Sequence, residues 1–223
     1  MKKIRALLAL FLCLMILTAP ALAADETTAA TPDDASQSVD TSAEAAVSAA
    51  PEYHANAKAA LLIDLNTGRT IYEQDADEQV YPASLTKIMT LLLAVEAVER
   101  GDVNLSDTVT AYDDCNADMV EGASNADIKV GETMTFEDFL YCAMISSANE
   151  ACNVVAEYVC GSISAFVERM NTRAQELGCT GTHFCNPCGL HEDDHYTTAH
   201  DLYLIAKEAM TDVTFRDIVS TVQ

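Results

Sequence analysis

The sequence contains no tryptophan and very few basic residues. Against 35 aspartates and glutamates there are only 12 lysines and arginines in 223 residues, so the formal net charge is −23 at pH 7. A surface this acidic repels nucleic-acid phosphates and anionic lipid headgroups. The composition therefore argues against nucleic acid as a partner and against electrostatic docking on a membrane.

The sequence also has no apolar run long enough to span a bilayer. The run near the start, LLALFLCLMIL, follows three basic residues and precedes the small-residue site Ala21-Leu22-Ala23. This order is typical of a secretory signal peptide. We therefore predict that residues 1–23 are a signal peptide and that the protein acts outside the cytoplasm, in the cell wall or at the outer face of the membrane. A retained N-terminal anchor is the alternative.

The cysteines do not suggest a disulfide framework. One of the eight, Cys13, lies inside the predicted signal peptide, and an odd number remains after its removal. Cys142, Cys152 and Cys160 lie in helix-like apolar segments, where free cysteine behaves as a small hydrophobic residue. We expect mostly reduced thiols.

Aromatic side chains are missing from residues 24–52, which are rich in alanine, serine, threonine and acidic residues. Such a composition cannot bury enough apolar surface to offset the loss of chain entropy. This segment is predicted to be a disordered linker, and residues 53–223 are predicted to form the folded part.

Hydrophobic periodicity and end signals predict a hairpin followed by helices. Two short strands flank a turn at Asn66-Thr67-Gly68, and a polar stretch runs from Gly101 to Glu132. The pattern lacks the strand–helix alternation of a parallel sheet, which favours an α+β fold. Helices are predicted at Pro82–Arg100, at FEDFLYCAMI after a Thr135/Asp138 cap, at NEACNVVAEYVC, at AFVERMNTRAQEL and from Thr198 to Met210.

The most informative local pattern is YPASLTKIMT, at residues 81–90. Ser84 and Lys87 are three residues apart, so on a helix they lie on one face, one turn apart. A lysine held against apolar surface loses its charge more readily, and a neutral amine beside a hydroxyl can accept its proton. The pair therefore predicts a nucleophilic serine at the start of a helix, with a purely structural pair as the alternative.

A second polar element, Ser147-Ala148-Asn149, lies where a predicted helix is interrupted. A serine and an amide two residues apart in a loop can both face a cleft. The serine could relay a proton, and the amide could hold a substrate carbonyl or the lysine. An ordinary helix interruption is the alternative for this element taken alone.

Together, the two elements resemble those of penicillin-binding proteins and serine β-lactamases. More specifically, the chain is similar to low-molecular-weight D-alanyl-D-alanine carboxypeptidases from about Ala59 to Met210. The similar segments are LIDLNTGRTIYEQDADEQVYPASLTKIMT, KVGETMTFEDFLYCAMISSANEACNVVAEYVCGS, FVERMNTRAQELG and NPCGLHEDDHYTTAHDL.

The resemblance implies a penicillin-binding protein/β-lactamase-like α+β fold, with an antiparallel sheet, helices and a helical lobe. It implies that Ser84 is the acylated nucleophile, Lys87 its general base, Ser147 a proton relay and Asn149 a substrate-binding residue. The reaction would remove D-alanine from peptidoglycan stem peptides ending in D-Ala-D-Ala. No cofactor or metal would take part, and β-lactam antibiotics would be covalent inhibitors.

The sequence departs from that family in one catalytic element. The third element, Lys-Thr-Gly, which binds the substrate carboxylate, does not occur. We expect residues 53–223 to be the N-terminal part of a longer catalytic domain, without its C-terminal strands or any membrane anchor. The alternatives are a serine β-lactamase and a non-catalytic protein that binds the cell wall.

A second departure is Cys188, which stands where the family usually has histidine in N-P-x-G-L. With Cys185 and the nearby His191, His195 and His200, it suggests a metal-binding or redox pair. The resemblance instead implies a packed connection without a metal, and we favour that interpretation.

Overall fold

The computed structural model describes residues 53–116 and 119–221. The predicted signal peptide and linker lie outside the described residues. Within them, the predicted hairpin is confirmed: β1 (Ala60–Asp64) pairs antiparallel with β2 (Arg69–Gln74). The turn forms because the Asp64 carboxylate accepts a hydrogen bond from the Asn66 amide, at 2.9 Å, and Gly68 adopts a φ of 69°.

The central helix is α1 (Lys87–Arg100), which packs against the other helices. Its side chains are buried nearly all round, including Met89, Leu92 and Val95, as expected of a helix inside a core. Gly101 ends it in the left-handed conformation, as predicted. The predicted first turn is a 3-10 helix, Ala83–Thr86, which contains Ser84.

Two helices follow in the predicted arrangement. Thr135 and Asp138 form a capping box for α2 (Phe136–Ile145), and α3 (Asn149–Cys160) begins after the predicted break. The next two predicted helices are also present, α4 (Ile163–Glu176) and α5 (Ala199–Ala209). The break leaves Ser147 between two helices, at a φ of 55°.

The sequence patterns missed a second small sheet and a last helix. Strand β3 (Thr108–Thr110) pairs with β4 (Thr133–Thr135). The first lies in the stretch that the sequence identified only as polar, and the second ends at the predicted cap residue Thr135. Strands of three residues are too short to show an alternating pattern. A short seven-residue helix, α6 (Val213–Val219), buries Phe215 and Ile218 beyond the predicted end at Met210. No helix in the described ranges is long and apolar enough to cross a membrane.

Candidate active site

Ser84 is exposed on the 3-10 helix that leads into α1. The preceding Ala83 has a φ of 48°, a conformation that is uncommon for a residue with a side chain. Strain of this kind costs about 1–3 kcal/mol and persists only where the surrounding structure holds it. Here Gly189, from a distant segment of the chain, lies against Ala83 and Thr86 and holds the turn in place.

Lys87 is buried, with 3% of its surface exposed, and the structure gives the reason. Its Nζ lies 3.2 Å from Ser84 Oγ, 2.8 Å from Asn149 Oδ1 and 2.8 Å from the Cys188 carbonyl oxygen. A lysine head group can donate three hydrogen bonds, and here it has three acceptors. The buried nitrogen is therefore fully satisfied while it contacts the serine hydroxyl.

The second polar element meets the first at Ser84. Ser147 Oγ donates to Ser84 Oγ at 3.0 Å, and the Asn149 side chain is buried against Lys87. The structure thus brings all four predicted site residues into one connected cluster.

A third segment, the loop of residues 185–190, completes the surroundings of Lys87. Asn186 shapes the loop, because its Oδ1 accepts hydrogen bonds from the backbone amides of Cys188, Gly189 and Leu190. Thr90, on α1, donates to the Pro187 carbonyl at 2.6 Å. The sequence patterns did not predict these contacts, although Thr90 lies in the apolar run of α1, and a buried threonine needs a hydrogen-bond partner.

Gly189 lies directly against the turn that carries Ser84. A Cβ atom at this position would lie 1.9 Å from the carbonyl oxygen of Ala83 and 2.9 Å from Thr86 Oγ1. The φ of Gly189 is +87°, which also favours glycine. Only a residue without a side chain permits this approach of two backbones.

A buried histidine joins the same two segments. His195 Nε2 lies 2.8 Å from Thr86 Oγ1, and His195 Nδ1 accepts a hydrogen bond from the Cys185 amide at 3.1 Å. Burial lowers the pKa of His195 to about 4, although the carboxylate of Glu192 opposes the shift. The imidazole is therefore neutral at pH 7.

The pKa of His195 makes the free energy of unfolding depend on pH. Between the ordinary value of 6.5 and the folded value of about 4, the unfolded chain binds more protons, so stability rises with pH. The contribution is complete above about pH 6.5 and is lost as the pH falls toward 4. We expect urea unfolding to show a smaller loss of stability between pH 7 and pH 5 in His195→Gln than in the unmodified protein.

The control for that measurement is His54→Gln, since His54 is an exposed histidine. It should lose stability with falling pH as the unmodified protein does. Equal acid sensitivity of the unmodified protein and His195→Gln would contradict the assignment of this titration to His195.

The cysteines near the site belong to no group of three metal-ligating side chains in the described part of the chain. None of the seven cysteines in the described residues is joined to another by a disulfide bond, and burial raises the pKa of Cys152 and of Cys185. Among the residues that the structure describes, no three histidine, cysteine or acidic side chains converge on a point that could hold a metal ion. Cys188 accepts a hydrogen bond from Lys87 through its backbone carbonyl, so this segment supports the candidate base.

Comparison with sequence families matches residues 43–221 to the family described as D-alanyl-D-alanine carboxypeptidase. The chain is 39% identical over 154 residues to the D-alanyl-D-alanine carboxypeptidase DacF of Bacillus subtilis, covering 69% of the chain and 39% of that protein. It is 35% identical over 161 residues to DacC of Escherichia coli, covering 71% of the chain and 40% of that protein.

Solved structures agree with the sequence relatives. The fold is similar to that of penicillin binding protein 5 from Haemophilus influenzae, with a TM-score of 0.70 and 27% identity over 74% of this chain and 48% of that one. The α+β fold of the penicillin-binding proteins is therefore confirmed. The chain spans about two fifths of the length of the two curated relatives named above.

Proposed function

Because the chain belongs to the D-alanyl-D-alanine carboxypeptidase family, we propose that the protein removes the terminal D-alanine from peptidoglycan stem peptides through an acyl-enzyme on Ser84. The observation that supports this proposal most is the cluster of Ser84, Lys87, Ser147 and Asn149, with Lys87 Nζ 3.2 Å from Ser84 Oγ. A nucleophile in hydrogen-bond reach of a base, which a third group orients, is the arrangement that acyl transfer needs.

In the proposed reaction, Lys87 acts as a neutral amine, which donates to Asn149 Oδ1 and to the Cys188 carbonyl. Its lone pair takes the Ser84 hydroxyl proton while Ser84 Oγ attacks the carbonyl carbon of the penultimate D-alanine. The C–N bond then breaks, and the proton passes to the departing D-alanine, with Ser147 Oγ as the relay. Water hydrolyses the ester and restores Ser84. Asn149 holds Lys87 through Oδ1, and its amide N–H₂ group is a donor suited to a substrate carbonyl.

Stem peptides ending in D-Ala-D-Ala are the proposed substrates, and β-lactam antibiotics are the proposed covalent inhibitors. No cofactor enters the proposed steps. We place the reaction outside the cytoplasm because residues 1–23 have the order of a signal peptide, a segment that lies outside the described residues.

Two assays test the proposal, both on the purified protein expressed from its whole gene. Release of D-alanine from a D-Ala-D-Ala tripeptide, together with slow covalent labelling by fluorescent penicillin, is the expected result. A β-lactamase would instead hydrolyse the penicillin with rapid turnover. A non-catalytic binder would neither label covalently nor release D-alanine, and that outcome would reject the proposal.

A further inference from the structure

His195 lies at the junction between the two parts of the site. One of its neighbours, Thr86, stands between Ser84 and Lys87 in the 3-10 helix. The other, Cys185, begins the 185–190 loop, whose Cys188 carbonyl accepts a hydrogen bond from Lys87. A single side chain thus links the turn of the nucleophile to the loop that holds the base.

The two hydrogen bonds of His195 determine which ring nitrogen carries the proton. Because Nδ1 accepts a hydrogen bond from the Cys185 amide, the neutral ring carries its proton on Nε2, and Nε2 donates to Thr86 Oγ1. A ring with this tautomer satisfies both neighbours at once. The reverse tautomer would direct an N–H at the Cys185 amide and leave Nε2 without a proton to donate.

The packing leaves the ring little freedom to move. His195 is 2% exposed, and the Phe184 ring packs edge-on against it, with 5.7 Å between the ring centroids. Gly189 lies against the Thr86 hydroxyl without room for a Cβ atom. The imidazole therefore adds a fixed link between the 3-10 helix and the loop, beside the contact of Gly189 with Ala83.

We infer that His195 is a positioning residue for acylation, which holds Ser84 and Lys87 in reacting geometry by linking Thr86 to the 185–190 loop. The inference rests on the proposed function, since it concerns the same acyl-enzyme step. In the described structure, the hydrogen bonds of the His195 ring join it to Thr86 and Cys185, and neither Ser84 nor Lys87 is among these partners. Its effect must therefore pass through Thr86 and the loop.

Three substitutions separate the two hydrogen bonds of His195. Glutamine can place an N–H donor near the position of Nε2, asparagine can place an acceptor near Nδ1, and phenylalanine retains the ring shape alone. Thr86→Val removes the partner hydroxyl while it keeps the β-branched shape. His200→Gln, an exposed change on α5, is the matched control.

The measurement is the kinetics of penicillin acylation, which separates the dissociation constant of the first complex from the rate constant of acylation. A displacement of about 1 Å can lower a rate about 100-fold. We expect His195→Phe and Thr86→Val to lower the acylation rate constant about 100-fold, with the dissociation constant nearly unchanged. His195→Gln should stay within about tenfold of the unmodified protein, the equivalent of about one hydrogen bond.

The double variant gives the sharpest check. If His195 acts through Thr86, combining His195→Phe with Thr86→Val should lower the rate constant no further than either change alone. The labelled fraction at saturation must be recorded as well, because a merely structural role would lower this amplitude and leave the rate constant unchanged. An unchanged rate constant in Thr86→Val and His195→Phe would overturn the inference.

Failure of the proposed function would look different from failure of this inference. If the unmodified protein forms no covalent adduct, the proposed function is wrong and the inference falls with it. If the unmodified protein acylates and the His195 and Thr86 variants acylate equally fast, only the inference is wrong. Should His195→Phe not fold, His195→Gln, His195→Asn and Thr86→Val still give the comparison.

Discussion

We expect Ser84→Ala to remove all detectable acylation by fluorescent penicillin and Lys87→Met to lower the acylation rate about 1,000-fold. The first result is expected because no hydroxyl remains to form the ester. The second follows because general-base catalysis contributes about 10²- to 10⁴-fold, and Lys87 Nζ is the amine that lies 3.2 Å from Ser84 Oγ. Methionine fills the buried space of the lysine stem without supplying a base.

The controls are Ser106→Ala and Lys129→Ala, which remove an exposed serine and an exposed lysine. Both should acylate as the unmodified protein does. Lys87→Met also leaves the Asn149 and Cys188 acceptors without their donor, which costs about 1–3 kcal/mol for each buried group. The thermal unfolding of Lys87→Met must therefore be measured together with its acylation rate, so that a loss of stability is not mistaken for a loss of catalysis. Normal labelling of Ser84→Ala would end the assignment of the nucleophile.

Gly189→Ala adds a single methyl group beside the site, and we expect it to lower both the stability of the protein and its acylation rate. The new Cβ would lie 1.9 Å from the Ala83 oxygen and 2.4 Å from the Ala83 carbonyl carbon, and both are backbone atoms that cannot rotate away. Overpacking costs about 1–3 kcal/mol and a strained φ a similar amount. We expect a loss of about 3 kcal/mol or more in the free energy of unfolding.

The same substitution should lower acylation about 100-fold in the protein that still folds, since Ala83 precedes Ser84 and the loop must move away from Lys87. Gly178→Ala is the matched control, because Gly178 has a φ of +85° and a methyl group added there would meet no atom within 4 Å. It should cost about 1 kcal/mol and leave the acylation rate unchanged. Equal stability losses in the two variants would show that the close approach to Ala83 is unimportant.

Much of the fold could be predicted because its signals are local. Gly101 and Gly161 end helices, Thr135 with Asp138 begins one, and the Asn66-Thr67-Gly68 turn closes the hairpin. Each of these depends on the preferences of a few adjacent residues. The second sheet was not predicted because β3 and β4 are far apart in the chain and pair through strands of only three residues.

In the candidate site, too, the contact between residues close in the sequence could be predicted, and the contacts between distant residues could not. Ser84 with Lys87 is a local pair, and its spacing predicted the contact. The contact of Lys87 with the Cys188 carbonyl joins residues 101 positions apart, and the contact of Thr86 with His195 joins residues 109 positions apart. A backbone carbonyl leaves no signature in side-chain patterns, and a buried threonine shows only that a partner is needed, not which one it is.

The central claim is that Ser84 is the nucleophile of a serine acyl-transfer site, and one measurement tests it most directly. The protein, as its gene encodes it, is incubated with penicillin and digested, and the modified peptide is identified by tandem mass spectrometry. The account predicts one penicilloyl group per protein, attached to Ser84 and absent from Ser84→Ala. An adduct on another residue would contradict it. So would the absence of an adduct at saturating penicillin, if a cooperative thermal unfolding transition shows that the protein is folded.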